Sequence, residues 1–175
     1  DYDYNDVILR VNTPYDNGDG TYTISVNVAA IGSDLELTVL YNGETLGKEI
    51  HEAMGVGKSV KVNTSSYTRD PQVLGMITVS DPNIAIDKFP FSISRKSSSG
   101  STSTLTQSTS REDAPLYMAI SGSPLGKWWW PKEGSNIGLA YKFFSDWAAN
   151  VNTYPDCYDY TKEGYIGTDR LIKTD

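Results

Sequence analysis

A chain of 175 residues carrying a net charge of −7 and an isoelectric point near 4.7 has room for one substantial domain, or a domain with a small appendage. Its acidic balance repels phosphate backbones and anionic lipid, which disfavours nucleic acid and membrane surfaces as partners. The single cysteine, Cys157, rules out an internal disulfide and any zinc cluster built from cysteines, and reads as a small buried apolar residue. Apolar residues make up only 38%, so twelve Tyr and four Trp must supply much of the buried area.

The first half alternates with period two, the mark of half-buried strands. Val7, Leu9 and Val11 face one way. Tyr22, Ile24, Val26, Val28 and Ala30 form a longer inward face, and Leu35, Leu37, Val39 and Tyr41 repeat the pattern. Asn42-Gly43 then predicts a type I′ hairpin, because both of its central residues must tolerate positive φ. Between the first two strands, residues 14–20 are dense in turn formers. His51–Met54 reads as a single helical turn. Further strands are expected at Val60–Val62, Val73–Ser80, Phe89–Ile93 and Leu116–Ser121, a spacing that favours an antiparallel β-sandwich, jelly-roll-like or Ig-like, over any βαβ design.

Between Ser97 and Ser110 eleven of fourteen residues are Ser or Thr, which predicts a flexible loop within a single domain spanning residues 1–175. After it the period changes. Ala140, Phe143, Phe144, Trp147, Ala148 and Val151 fall at helical spacing, predicting one amphipathic α-helix over 136–151 with Ser135 or Asn136 as N-cap. The Tyr-, Asp- and Gly-rich tail from Asn152 has no period and is expected to be irregular.

The densest chemistry lies at the start. Asp1, Asp3, Asn5 and Asp6 place four oxygen-bearing side chains within six residues at the mouth of a strand, and hard cations such as Ca²⁺ take six to eight such ligands. The run is no EF-hand, since Asp6 stands where that loop needs Gly and Asn12 where it needs Glu. It reads either as a β-edge Ca²⁺ site or as an exposed, turn-capping acidic run. Asp16 and Asp19 form a weaker second group, explicable as a hairpin loop; a hairpin folding back towards residue 6 would merge the two. Trp128, Trp129 and Trp130 cannot all face one core in an extended chain, so at least one is expected at the surface, available to sugars or partner proteins. Catalytic motifs are wanting: the lone histidine, His51, has no nucleophile motif beside it, and Gly55-Val-Gly57-Lys58-Ser59 fails as a phosphate loop because Glu52 stands where its first Gly belongs.

The opening Asp1-Tyr-Asp3-Tyr-Asn5-Asp6-Val7 resembles the hallmark of the LruC-type domain of secreted and surface proteins in Bacteroidota and some other bacteria. The resemblance continues through residues 50–55 and 62–64, then Trp130-Pro131-Lys132-Glu133, Ile137, Ala140-Tyr141, Phe144 and Trp147. It implies a C-terminal, β-rich module of an exported protein, often a lipoprotein, with no established activity. The Ser/Thr loop and the triple Trp depart from the family pattern. Members usually carry further acidic residues and a Trp-Pro before the hallmark; this chain opens without Met inside the motif, which reads as a cut chain.

The expected function is therefore a non-enzymatic extracellular or outer-membrane-surface binding or adhesion module, tied by Ca²⁺ at Asp1, Asp3, Asn5 and Asp6. Its partner would be an extracellular protein or glycan, met by Trp128–Trp130, with the chain a monomer or weak dimer. No run near ~18 apolar residues is present to insert into a membrane. The rivals are a carbohydrate-binding module, requiring a shallow cleft with aromatic rings and polar neighbours, and a glycoside hydrolase, requiring paired carboxyls in a deep pocket.

Overall fold

In the computed structural model, residues 3–83, 90–105, 117, 129–150 and 168–174 are described. The architecture is mainly antiparallel β with few short helices. The strands are β1 (Val7–Val11), β2 (Tyr15–Asp16), β3 (Tyr22–Ile31), β4 (Glu36–Tyr41), β5 (Glu44–Thr45), β6 (Gln72–Val79), β7 (Phe91–Lys96) and β8 (Thr102–Leu105). One four-stranded sheet is built around β3, which pairs with β1 and β2 on one edge and β6 on the other. The second has the order β5-β4-β7-β8. Among the described residues no helix is long and apolar enough to cross a membrane.

Both sheets feed one hydrophobic cluster. Ile24, Val26, Val28 and Ile31 of β3 and Leu74 and Ile77 of β6 meet Leu37 and Val39 of β4 and Ile93 of β7, with Val7 and Leu9 at the margin. The alternation of β3 predicts this as far as Val28, but Ala30 is not in that face. The ladder between β1 and β3 skips a residue: Ile8 pairs with Ala30 and Leu9 with Val28, leaving Ala29 as the extra residue of a β-bulge. A bulge shifts the period by one, so Ile31 takes the place in the core. Ala29 and Ala30 instead join Trp130 and Ile172 in a separate cluster, flanked by Ile8 and Tyr67. The same strand thus buries one face along its length and both faces at one end.

Asn42 and Gly43 adopt φ of 49° and 84° and join β4 to β5 as the Asn-Gly signal predicts. The helical turn at residue 51 is α1 (Ile50–Met54), closed by Gly55 in the left-handed region. Val60–Val62 contributes only an isolated bridge from Val62 to Ile31. The Ser/Thr segment is not a loop throughout. Thr102–Leu105 pairs with β7 as strand β8, because a turn over residues 97–101 reverses the chain onto an open edge. Its small β-branched threonines suit such an edge. Tyr117 stitches this edge, accepting from the Ile93 amide at 3.2 Å and donating to the Leu105 carbonyl.

The helix expected over 136–151 is also broken. A 3₁₀ turn at Ile137–Leu139, capped by the Asn136 side chain, is followed by a bend and a short helix α2 (Phe144–Ala149). Packing overrides the local period here. Bending the chain at residues 140–143 buries Tyr141 completely and lets its hydroxyl reach the Trp129 carbonyl. Ile137, Ala140, Tyr141, Phe144 and Trp147 then form their own cluster with Leu171. The strand expected over 116–121, apart from Tyr117, and residues 151–167 of the tail, with Cys157, lie outside the described residues; residues 168–174 form a 3₁₀ turn at Thr168–Arg170 and a bridge from Leu171 to Pro131.

One polar node fixes α1 to the sheets. Glu49 accepts from the amides of Leu37 (3.1 Å), His51 (2.9 Å) and Glu52 (3.2 Å) and bonds the His51 ring at 2.8 Å. The other ring nitrogen of fully buried His51 lies 3.1 Å from the Ser33 carbonyl. His51 is thus a pinned structural group. Glu49→Ala strips several donors of their acceptor at once, and we expect a loss of about 3 kcal/mol of stability, measured as a fall in urea midpoint. A change under about 0.5 kcal/mol, the size of an ordinary surface substitution, would show that the node contributes nothing of note.

Candidate functional site

Residues 129–150 and 168–174 form a second layer against the β3 sheet, held on by the acidic N-terminal run. Asp3 and Asn5 are both buried, at 2% and 1% exposure. The Asp3 carboxylate accepts from the Gly134 amide at 2.8 Å, and the Asn5 amide donates to the Pro131 carbonyl at 3.1 Å. Between them Tyr4, at a φ of 54°, sets its ring edge-on against Phe144 with centroids 5.4 Å apart. The Asp6 carbonyl accepts from the amides of Gly32 and Ser33 just beyond β3. Four consecutive residues therefore latch the end of the β3 sheet to residues 131–144.

Gly32 is the partner that sequence reasoning missed. A Cβ there would stand 2.3 Å from the Asn5 side-chain oxygen and 2.9 Å from the Asn5 carbonyl, so only glycine admits this approach. Its signal is slight: a glycine immediately after a long strand, which reads as an ordinary strand end.

The site's electrostatics are strained. Partial withdrawal from water, then the neighbouring Asp3 and Glu133 carboxylates, push the Asp6 carboxyl above its ordinary range, with Lys61 pulling the other way. The Asp6 residue as a whole is exposed, so solvent screens much of this. Glu133 is itself paired with Lys61 at 2.6 Å.

Of the expected calcium set, Asp3, Asn5 and Asp6 are described. Among the described residues no three acidic, histidine or cysteine side chains lie close enough to hold a metal, and one Asp3 oxygen is engaged by Gly134. The favourable features are the excess of negative charge and the buried Asn5 side-chain oxygen, which has no hydrogen-bond partner among the described residues. Asp1 lies outside the described residues.

Asp16 and Asp19 do not join this group. Asp16 accepts from the Gly18 amide at 2.8 Å, and Asp19 from the Thr21 amide and hydroxyl at 2.9 and 2.6 Å. The hydroxyl and amide bonds from Thr21 hold the Asp19 carboxyl below its ordinary range. Tyr15 and Asp16 pair with Thr23 and Tyr22, whereas Val7 pairs with Ile31. The two acidic groups thus sit at opposite ends of a ten-residue strand, about 30 Å long at ~3.3 Å per residue. A shared site is excluded.

Of the three tryptophans expected to offer a recognition surface, Trp130 is turned inward instead. Trp130 is buried at 2% exposure, stacked in the cluster on Ala29 and Ala30, and donates to the Asn63 carbonyl at 2.8 Å. Trp129 is half-buried, donates to the Thr174 carbonyl at 3.2 Å and carries the Lys173 ammonium 5.7 Å from its ring centroid. Trp128 lies outside the described residues. Trp130 is an anchor.

Asn63 supports this anchor. Buried, and at a φ of 57°, its side chain donates to the carbonyls of Ala29 and Arg69 and accepts from the amides of Thr68 and Arg69. That fixes the loop from Thr64 to Arg69 beside a shallow open cleft of about 420 Å³ at the seam of the two layers. Its lining includes Ser65, Ser66, Tyr67, Lys132, Asp169 and Lys173. A cleft is what the carbohydrate reading requires, but no motif marks these residues.

Comparison of the chain with family models, curated proteins and solved structures returns no match.

The raised pKa of Asp6 fixes a sign. The native state binds its proton more tightly than the unfolded chain, so stability falls as pH rises from the ordinary carboxylate range through the raised value, and ionised Asp6 costs stability at neutral pH. Asp6→Asn is expected to raise Tm at about pH 7 in chelator, the gain fading towards about pH 3, where both states are protonated. A variant that melts lower at neutral pH would contradict the repulsion.

Proposed function

We propose that the chain is a non-enzymatic binding or adhesion module of a secreted or surface-exposed protein, in which the two sheets form an antiparallel β-sandwich. Kinship with LruC-type domains rests on the motif residues alone, and the extracellular or outer-membrane-surface location rests on that kinship. The observation that carries the binding role is the outer face of the β3 sheet. Thr23, Ser25 and Asn27 point away from the core, and the ladder sets Tyr15 and Thr78 beside Thr23, Met76 beside Ser25, and Val73 beside Asn27. Tyr15, Met76 and Val73 are 72%, 65% and 55% exposed. Exposed large side chains interleaved with the small hydroxyls of Thr23 and Ser25 suit contact with an extracellular protein or glycan.

Binding of wild type to a panel of immobilised extracellular-matrix proteins and neutral glycans tests this. Against whichever member is bound, Tyr15→Ser/Met76→Lys is expected to weaken affinity at least about tenfold, or 1.4 kcal/mol, at unchanged Tm. Undiminished binding would remove this face from the account. The hydrolase reading has less support, since Asp169 is the one acid lining the described cleft.

Calcium enters the reading as a relief of charge. A divalent cation beside Asp6 and Glu133 would offset the burial and the Asp3 and Glu133 repulsion that raise the Asp6 pKa. Extracellular sites of this kind work with Kd ~10⁻⁴–10⁻³ M. Wild type is expected to melt several degrees higher in about 2 mM CaCl₂ than in EDTA, with MgCl₂ weaker and Asp6→Asn insensitive. Equal melting in both would end the calcium proposal while leaving the latch intact.

A further inference from the structure

The lining of the cleft at the seam has a definite chemical bias. Its floor is apolar: Leu171 and Ile172 lie there almost fully buried, with the half-buried Tyr67 beside them. Its rim is polar and comes from three separate stretches of chain. Ser65 and Ser66 project from the loop that Asn63 organises, and both residues are exposed. Lys132 comes from the Trp-Pro segment and Asp169 and Lys173 from the C-terminal strip.

These stretches are held together by the backbone. The Lys132 amide donates to the Arg170 carbonyl and the Ile172 amide to the Trp130 carbonyl, both at 2.8 Å, around a bridge between Pro131 and Leu171. The Glu133 amide donates to the Thr64 carbonyl at 2.9 Å. Lys132 is further positioned by one bond from its ammonium to the Asp169 carbonyl at 2.7 Å, which leaves that group two more donors. Lys173 is steered by the Trp129 ring beneath its ammonium. In a chain of net charge −7, a concavity whose lining includes two lysines and one acidic residue is a local reversal of sign.

We propose that this cleft binds an acidic saccharide, a sugar ring bearing a carboxylate. Each part of the lining has a counterpart in that ligand. The apolar face of the ring lies on the aromatic and aliphatic floor, its carboxylate meets Lys132 and Lys173, and its hydroxyls bond Ser65, Ser66 and the Asp169 carboxylate. A bare inorganic anion would leave the floor unused and meet repulsion from Asp169. A neutral apolar ligand would leave the ammonium groups without purpose. A volume of about 420 Å³ lies within the range of small-ligand sites and suits one or two sugar rings. The cleft is lined by none of the residues of the exposed β3 face, so the inference does not depend on that face being a contact surface.

Titration calorimetry and ligand-observed NMR with tri-galacturonate test it, with neutral galactotriose and a tetra-glutamate peptide as comparisons. Tri-galacturonate is expected to bind with Kd of roughly 0.1–1 mM and weaken with added salt. Galactotriose should bind at least about tenfold more weakly. Lys173→Gln and Ser66→Ala, both at exposed positions, should reduce binding without lowering Tm, with Lys173→Arg restoring it. Tyr15→Ser/Met76→Lys should bind the saccharide as wild type does, which separates this site from the sheet face. No binding at about 10 mM, equal affinity for the neutral sugar, preference for the acidic peptide, or indifference to Lys173→Gln would each overturn the proposal.

Discussion

The constraint on which the rest depends is the one-residue bulge at Ala29 in β3. Before it, the strand shows Ile24, Val26 and Val28 to the core shared with the second sheet. After it, Ile31 continues that core while two small alanines floor the opposite face. Small side chains leave depth for a large one, and the Trp130 indole fills it. Removing a buried tryptophan of this kind costs ~3–5 kcal/mol, on the scale of a domain's whole stability. From Trp130 follow the rest of the second layer: Pro131 and Gly134 within reach of Asn5 and Asp3, the Leu171 bridge, and the cleft between them.

Polar groups secure this docking where apolar area is scarce. Asn63 commits its whole amide to backbone partners from two places, Ala29 and Thr68–Arg69, and the indole of Trp130 bonds its carbonyl. Asp3 and Asn5 do the same for the Trp-Pro segment. In an economical core such bonds add less net stability than specificity, since each donor or acceptor left unpaired would cost ~1–3 kcal/mol. The layer is thereby fixed in one position. The strain at Asp6, partly withdrawn from water and pressed by Asp3 and Glu133, is what remains when carboxylates are gathered to make the latch.

Much of the fold was legible in the sequence. Strict alternation marks β1, β3 and β4 and the Asn42-Gly43 turn, because a half-buried strand writes its period into every second residue. The bulge is not legible, since nothing in the run from Val28 to Ile31 marks a skipped pairing: Ala29 and Ala30 are small enough for either face. Nor is β8, whose Ser/Thr residues lack any apolar alternation and are ordered by pairing with β7. The 136–151 pattern identified the right buried aromatics, Phe144 and Trp147, but not the bend that buries Tyr141. In the site, the spacing of Asp3 and Asn5 implied a common direction, and both do turn the same way. They turn inward to backbone groups more than 120 residues on, a partner that no local pattern can name. The cleft was invisible for the same reason, being assembled from three distant stretches with no motif of their own.

The central claim is that the acidic N-terminal run is an internal latch on the Trp-Pro segment. Hydrogen exchange of Asp3→Ala against wild type tests it most directly. The account predicts that the Gly134 amide and its neighbours from residues 132–135 lose protection, while the amides of β4 and β7 keep theirs. Unchanged exchange at Gly134, or a loss spread evenly over both sheets, would contradict it.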